Sequence, residues 1–397
     1  MPEIPIPNSC EDLLTQMVSF DTVNHRGDVS GSDGTEAALL AYLEHVANQW
    51  GLATQRLPID DYDSNLLVSS TWVPGAPTIL FDSHMDTVSV DGMTIEPFAG
   101  RIHQERIFGR GACDTKGSGA AMLWALKRFC QQSEPTGPPA NIAILFNVDE
   151  EISMKGVVAF VRQQMAKLDW QPNAVIVGEP TEMQMVTATG GIARWSIHTH
   201  GVAVHSSQPA KGRSAISAMM RVIEAVENDY IPSLDTEHPL VGKAQCSINL
   251  ISGGTQINVI PDTCEIRIDR RLVPGEDPLQ VLPAVETHLD RLRAGPEHLE
   301  IEQDTPFLDT PLEPSLSQQF SNQVGELLQQ NDLSPQAIGV SYGTNASKYP
   351  EAGIPAIVLG PGSIEQAHTV DEWITLEQLE LGQKIYFDLM SKAGEFF

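Results

Sequence analysis

The sequence predicts an α/β fold in which a layered sheet domain is interrupted by a smaller, ferredoxin-like unit. Three observations predict it. Up to about Pro180, short apolar runs of strand character alternate with helical segments, the signature of a layered α/β sheet. From about 186 to 305 the order becomes strand, helix, strand, strand, helix, strand, as in a ferredoxin-like unit. The final stretch returns to the first style. The boundaries are therefore expected at 1–185 and 306–397 for the larger domain and at 186–305 for the inserted one.

Each element has its own signal. The first helix begins at Ser9, whose hydroxyl caps the first turn while Asp12 reaches back, ahead of Leu13, Leu14 and Met17. A second helix is expected from Gly34 to Trp50. Strands are expected near 64–70, 78–82, 141–148 and 173–178, because buried parallel strands read as nearly continuous apolar runs. Helices are expected near 117–131 and 154–168, and the proline-rich, polar QQSEPTGPPAN (131–141) reads as a surface loop. In the inserted unit the strands are ARWSIHTHG, KAQCSINLIS, TCEIRIDRRL and HLEIEQD, with SAISAMMRVIEAVEND and PLQVLPAVETHLDRL as helices. A helix over 315–330, a short strand in IPAIVLG and a terminal helix after Thr375 complete the larger domain.

Composition bounds the function. A chain of 397 residues with 41% hydrophobic content can bury two cores. The net charge of −28 opposes nucleic acid and anionic membranes, which would be repelled over most of the surface. Cys10, Cys113, Cys130, Cys246 and Cys264 are widely spaced without a CxxC pair, so neither a disulfide framework nor a thiolate zinc site is expected. MPEIPIPNSCEDLL lacks a cationic segment followed by an apolar one, and no run approaches the ~18 apolar residues of a membrane span. A soluble, cytoplasmic protein is expected.

The chemistry lies where apolar runs end. TILFDSHMDTV ends in His84 and Asp86, AILFNVDEEIS in Glu150 and Glu151, NAVIVGEPTE in Glu179, and GPGSIEQAHTVDEW carries His368. GRGACDTKGSG places Asp114 among glycines, where backbone approaches an ion closely. Open α/β sheets bind ligands outside the carboxyl ends of their strands. Imidazole and carboxylate aimed at that edge point to a metal-dependent hydrolase. His84 and Asp86, two apart on an extended strand end, face the same way, so one can bind metal while the other orients it. Adjacent Glu150 and Glu151 can divide labour between ligand and proton shuttle.

Read singly, Asp114 is also a helix cap, Asp149-Glu150-Glu151 an acidic turn and His205 a surface histidine. His198 and His200 share a strand face and are weak metal candidates; His25, His45, His103, His238, His288 and His298 lack motif context and read as surface residues.

The segments SHMDTV, GRGACDTKGSGAAM, NVDEEIS, VGEPTE, GVAVHSSQPAKGRSAI and GPGSIEQAHTVDEW resemble, in order and over essentially the whole chain, the motif set of the dizinc aminoacylase/carboxypeptidase family. That family includes acetylornithine deacetylase, succinyl-diaminopimelate desuccinylase, aminoacylase and glutamate carboxypeptidase. The resemblance implies a layered, zinc-peptidase-like catalytic domain with an inserted lid and dimerisation domain. It implies two Zn²⁺, with Co²⁺ or Mn²⁺ as substitutes: Asp114 bridging, His84 and Glu179 completing one site, Glu151 and His368 the other. Glu150 would be general acid/base, Asp86 would stand behind His84, and the Asp114–Thr115 peptide would be cis.

His205 resembles a histidine that one subunit's lid lends to its partner's site as an oxyanion donor, which implies a homodimer. Arg271 and Asn258 resemble lid residues that bind the substrate's α-carboxylate, a task suited to a planar guanidinium. Arg270 is the alternative, since neighbours on a strand face opposite sides. Backbone at Gly360 and Gly362 would add amide donors. YGTNASKYP resembles a substrate-proximal Gly-Thr-Asp-Ala motif, with Asn345 where the family has aspartate.

The implied reaction is hydrolysis of the amide of an N-acyl amino acid, nearest to acetylornithine deacetylase and thus to arginine biosynthesis. Succinyl-diaminopimelate desuccinylase, general aminoacylase and small-peptide carboxypeptidase are the alternatives. A non-catalytic, metal-stabilised binding protein is a further class; it needs ligands but no free base, and Glu150 fills the base position.

Overall fold

A computed structural model of the chain describes residues 5–25, 35–60, 63–132 and 139–397. Gly34 and residues 133–138 of the expected 131–141 loop lie outside them. The chain divides into two compact units, one of Met1–Thr187, Pro314–Ile338 and Thr344–Phe397, the other of Ala188–Glu313 and Gly339–Gly343.

In the first unit, Thr78–His84, Asn141–Asn147 and Ala174–Val177 are buried along their whole lengths, so apolar side chains are favoured on both faces. These strands are parallel, and Ala356–Val358 adds a fourth parallel strand beside Ala174–Val177. Ser64–Ser69 and then Ala53–Pro58 extend the other side antiparallel. Ala53–Pro58 escapes sequence reading because ATQRLP is polar and mostly exposed, as an outer strand permits. The short strands Arg101–His103, Arg106–Phe108 and Trp373–Thr375 form a separate sheet.

Register matters for the site. His84 pairs with Asn147 and Asp82 with Val177, which sets the carboxyl ends of three strands level. The helices Cys10–Val18, Lys116–Cys130 and Leu376–Ser391 send Leu13, Leu14, Met17, Leu123, Leu126, Ile385 and Leu389 into one core with Phe81 and Ile144. Burial of such a side chain is worth about 1.5–3 kcal/mol.

Ser9 caps the first helix by accepting the Asp12 N–H at 3.1 Å. The return bond of Asp12 goes to the Asn8 N–H rather than that of Ser9. The helix expected over 154–168 is α-helical only over Lys155–Ala159, then widens into a π turn and ends in a 3₁₀ turn.

The second unit has the strand, helix, strand, strand, helix, strand order. Its sheet runs Gln245–Gly253, Thr263–Leu272, Gly191–His200, Glu300–Gln303, all antiparallel, with Phe307–Asp309 also paired to Gly191–His200. Ala215–Ala225 and Val281–Ala294 cover one face, burying Met219, Val222, Val285 and Leu289 against Ile197, Ile266 and Ile268. The two-residue strand period turns Cys264, Ile266, Ile268, Arg270 and Leu272 inward and Glu265, Arg267, Asp269 and Arg271 outward.

Candidate metal centre

Five sequence-distant segments meet at the level carboxyl ends. His84 closes its strand, Glu150 and Glu151 follow Asn141–Asn147, and Glu179 follows Ala174–Val177. Asp114 precedes the helix Lys116–Cys130, and His368 follows the strand Ala356–Val358 by a loop. His84, Asp114 and Glu151 each offer one ligand atom, all within 4.8 Å of one another. His84 Nε2 lies 3.1 Å from Asp114 Oδ1, and His368 Nε2 lies 3.3 Å from Asp114 Oδ2 and 3.1 Å from Glu151 Oε2. Asp114 therefore stands between the two imidazoles. The Asp114–Thr115 peptide is cis.

Asp86 organises this edge. It is fully buried and accepts the N–H of Glu150 at 3.0 Å and that of Glu151 at 3.1 Å, with Asn24 Nδ2 as a third donor at 2.9 Å. The His84 ring approaches Asp86 through Nδ1, which lies 2.9 Å from the Asp86 backbone oxygen and 3.4 Å from its carboxylate. We take the shorter, backbone contact as the one that fixes the ring, leaving Nε2 to face Asp114. Asp149, with φ of 62°, is held by Asn24 Nδ2 at 2.7 Å and by Ser153. The sequence did not single out Asn24, since only the fold brings it between Asp86 and Asp149.

The electrostatics describe a site with too much negative charge. Burial, followed by Glu151, Asp86 and Asp114, raises the Glu150 carboxyl well above the usual range. Burial and then Asp114 do the same to Glu179, and raise Glu151. Burial works against a charged His84, but its hydrogen bonds to Asp114 and Asp86 hold its pKa well above that of ordinary imidazole. The bond to Asp114, then that to Glu151, pushes His368 up to about 11. Burial would raise the Asp114 carboxyl, but the two histidines hold it well below the ordinary range. Imidazole and carboxylate converging with surplus negative charge is a donor set suited to divalent zinc, cobalt or manganese. The Glu150 and Glu179 carboxylates accept no hydrogen bond among the described residues, so both remain available.

Residues 80–392 match peptidase family M20/M25/M40. The chain belongs to that family. Acetylornithine deacetylase from Myxococcus xanthus is 27% identical over 380 residues, covering 92% of this chain and 92% of that protein. A probable carboxypeptidase from Aspergillus terreus (strain NIH 2624 / FGSC A1156) is 28% identical over 349 residues, covering 84% of this chain and 75% of that protein. The structure of a dinuclear metal-binding peptidase of the M20 family from Bacillus subtilis matches with a TM-score of 0.71 at 16% identity, over 98% of each chain. As an M20/M25/M40 protein, the chain is a metal-dependent hydrolase of linear amides.

The other candidate residues of this M20/M25/M40 chain fall into separate environments. His205 is exposed, on a short strand whose partner residue is Val259, and the Ser206 N–H donates to the Asn258 carbonyl at 2.9 Å, so His205 and Asn258 are neighbours in the second unit. Arg270 is buried against Glu276 and the Gln245 carbonyl, whereas Arg271 lies on the open sheet face beside Asp269 at 2.6 Å; Arg271 is the one with a reachable guanidinium.

Two expectations are redirected. Asn345 is 1% exposed and gives its amide protons to Asp82 at 3.2 Å and Asn147 at 3.0 Å, so it is an interior link with no donor left for a substrate. The amides of Gly360 and Gly362 are likewise taken, by Thr181 Oγ1 at 3.1 Å and Gln378 Oε1 at 3.2 Å. Gly360 is needed for space: a Cβ there would fall 2.4 Å from the Glu179 carbonyl. His198 and His200 pair with Asp304 and Glu302, and neither belongs to the metal-capable group of His84, Asp114 and Glu151.

Proposed function

We propose that the protein removes the acyl group from an N-acyl amino acid, in the manner of an acetylornithine deacetylase, using two divalent metal ions. The observation that carries this reading is that His84, Glu151 and His368 meet around the Asp114 carboxylate, with the unbonded Glu150 carboxyl alongside. His84, Asp114 and Glu179 would hold one ion and Asp114, Glu151 and His368 the other, with zinc the expected metal. Ions bound there supply Lewis-acid polarisation of the amide carbonyl and make a water easier to deprotonate. Glu150 accepts the proton of the attacking water and returns it to the departing amine, a role supported by its place beside Glu151 and by a carboxylate that accepts no hydrogen bond among the described residues. Asp86 keeps Glu150 and Glu151 in place.

His205 is read as the oxyanion donor. Its Nδ1 faces Ser207, 2.8 Å from Oγ and 3.2 Å from the backbone N, and its Nε2 makes no hydrogen bond among the described residues, which leaves that side of the ring open to a substrate. Arg271 and Asn258 are assigned to the substrate carboxylate. A homodimer through the second unit is supported by the outer strand Gln245–Gly253, where Leu250 and Ile251 are 59% and 61% exposed beside an uncovered strand edge. No helix among the described residues is long and apolar enough to cross a membrane. We assign the protein to the cytoplasm and to arginine biosynthesis.

The test is kcat/KM with zinc, cobalt or manganese over acetyl, succinyl and peptidyl amino acids, reading free amine with ninhydrin. Preference for acetylornithine supports the reading; preference for a succinyl or peptidyl substrate selects the desuccinylase or carboxypeptidase alternative. No turnover with any metal would leave a metal-stabilised binding protein.

A further inference from the structure

Asp114 has no regular secondary structure of its own to hold it. It lies in the turn Gly109–Thr115, between the strand Arg106–Phe108 and the helix Lys116–Cys130. In that turn the N–H groups of Gly111, Cys113 and Asp114 all converge on one carboxylate, that of Glu372. Oε1 accepts from Cys113 at 2.8 Å and Asp114 at 2.9 Å, and Oε2 accepts from Gly111 at 3.0 Å and from Arg110 Nη1 at 2.8 Å. Pairing of Trp373 with Phe108 brings Glu372 alongside the turn, and the Gly109 N–H bonds its carbonyl at 3.0 Å.

Arg110 extends the link. Its Nη2 donates to the Thr369 carbonyl at 3.2 Å, next to His368, and its Nε to the Ser89 carbonyl at 3.1 Å, on the segment that follows Asp86. Both side chains are buried, Glu372 to 1% and Arg110 to 3% exposure. One buried ion pair thus joins the segments carrying Asp114, His368 and Asp86. Two carboxylate oxygens offer about four acceptor sites, and four donors fill them. Glu372 therefore has no lone pair left for a metal ion.

We propose that Glu372, with Arg110, is a positioning residue that sets the affinity of this site for divalent metal by fixing the Asp114 turn against the His368 loop. This rests on the reading of Asp114 and His368 as metal ligands. Groups that orient ligands without touching the ion typically change metal affinity 10–100-fold when altered.

The experiment measures zinc affinity of the metal-free full-length protein by competition with a chromophoric chelator, at a temperature where wild type and variants have matching circular dichroism. Glu372→Gln keeps the size of the side chain but sets an amide NH₂ against donors; about 10–100-fold weaker zinc binding is expected, with activity recovering as zinc is raised. Arg110→Lys keeps the charge but not the three-way reach, and weaker zinc binding is expected there too. If Glu372→Gln does not fold, Arg110→Lys decides. Wild-type zinc affinity in a folded variant, even one with a lowered melting temperature, would overturn the proposal, since it would reduce the pair to a structural brace. A wild-type protein that binds no zinc would instead overturn the ligand assignment on which the proposal rests.

Discussion

The carboxylate of Asp86 receives the backbone N–H of Glu150 at 3.0 Å, and so fixes the backbone of the candidate general base. The same carboxylate takes the Glu151 N–H, so one buried group governs both a candidate base and a candidate ligand. Asp86→Asn would turn an amide NH₂ toward these donors. A fall of about 10–100-fold in kcat/KM is expected, measured with zinc in excess; an unchanged value would separate Asp86 from the chemistry.

Removing the proposed proton carrier while leaving the proposed ligands should separate binding from catalysis. Glu150→Gln is expected to retain zinc, measured by elemental analysis, and to lose at least about 10²-fold in kcat. Loss of zinc in parallel with kcat would make Glu150 a ligand instead.

His205→Ala should leave zinc content and folding intact, because its hydrogen bonds to Ser207 are local to an exposed turn. With the proposed oxyanion donor gone, kcat is expected to fall by about 10²–10³. Equal kcat for variant and wild type would remove His205 from the reaction.

Restoring aspartate at position 345 should destabilise the fold. Asn345 donates to buried Asp82 at 3.2 Å, and Asp82 also accepts from Asn147 at 2.6 Å and from Tyr349. An ionised aspartate there cannot donate, and would set two carboxylates together in the interior. Asn345→Asp is expected to cost about 1–3 kcal/mol, read by thermal unfolding. An unchanged melting temperature would show that the network does not depend on Asn345 as a donor.

Much of this site was legible because its side chains sit at the ends of apolar runs. Thr78–His84 and Asn141–Asn147 are buried on both faces, so their sequences announce where each strand ends and His84 or Glu150 begins. The inserted unit was legible for a similar reason: in Thr263–Leu272 the alternation of burial follows the alternation of residue type, with the buried Arg270 as the exception that sequence alone left open. Glu372 was not legible, because its partners are the backbone N–H groups of Gly111, Cys113 and Asp114, which no residue type marks. Asn345 was misplaced because its motif context suggested a substrate contact, while its actual neighbours, Asp82 and Asn147, lie 263 and 198 positions away.

On the proposed reading, these separated segments build one cradle for two divalent ions. Anomalous scattering at the zinc edge, from crystals of the zinc-loaded protein, tests it directly. Two peaks flanking Asp114 are expected, at about 2.0–2.2 Å from donors of His84 and Glu179 on one side and of Glu151 and His368 on the other. No peak at Asp114, or zinc bound only elsewhere, would contradict it.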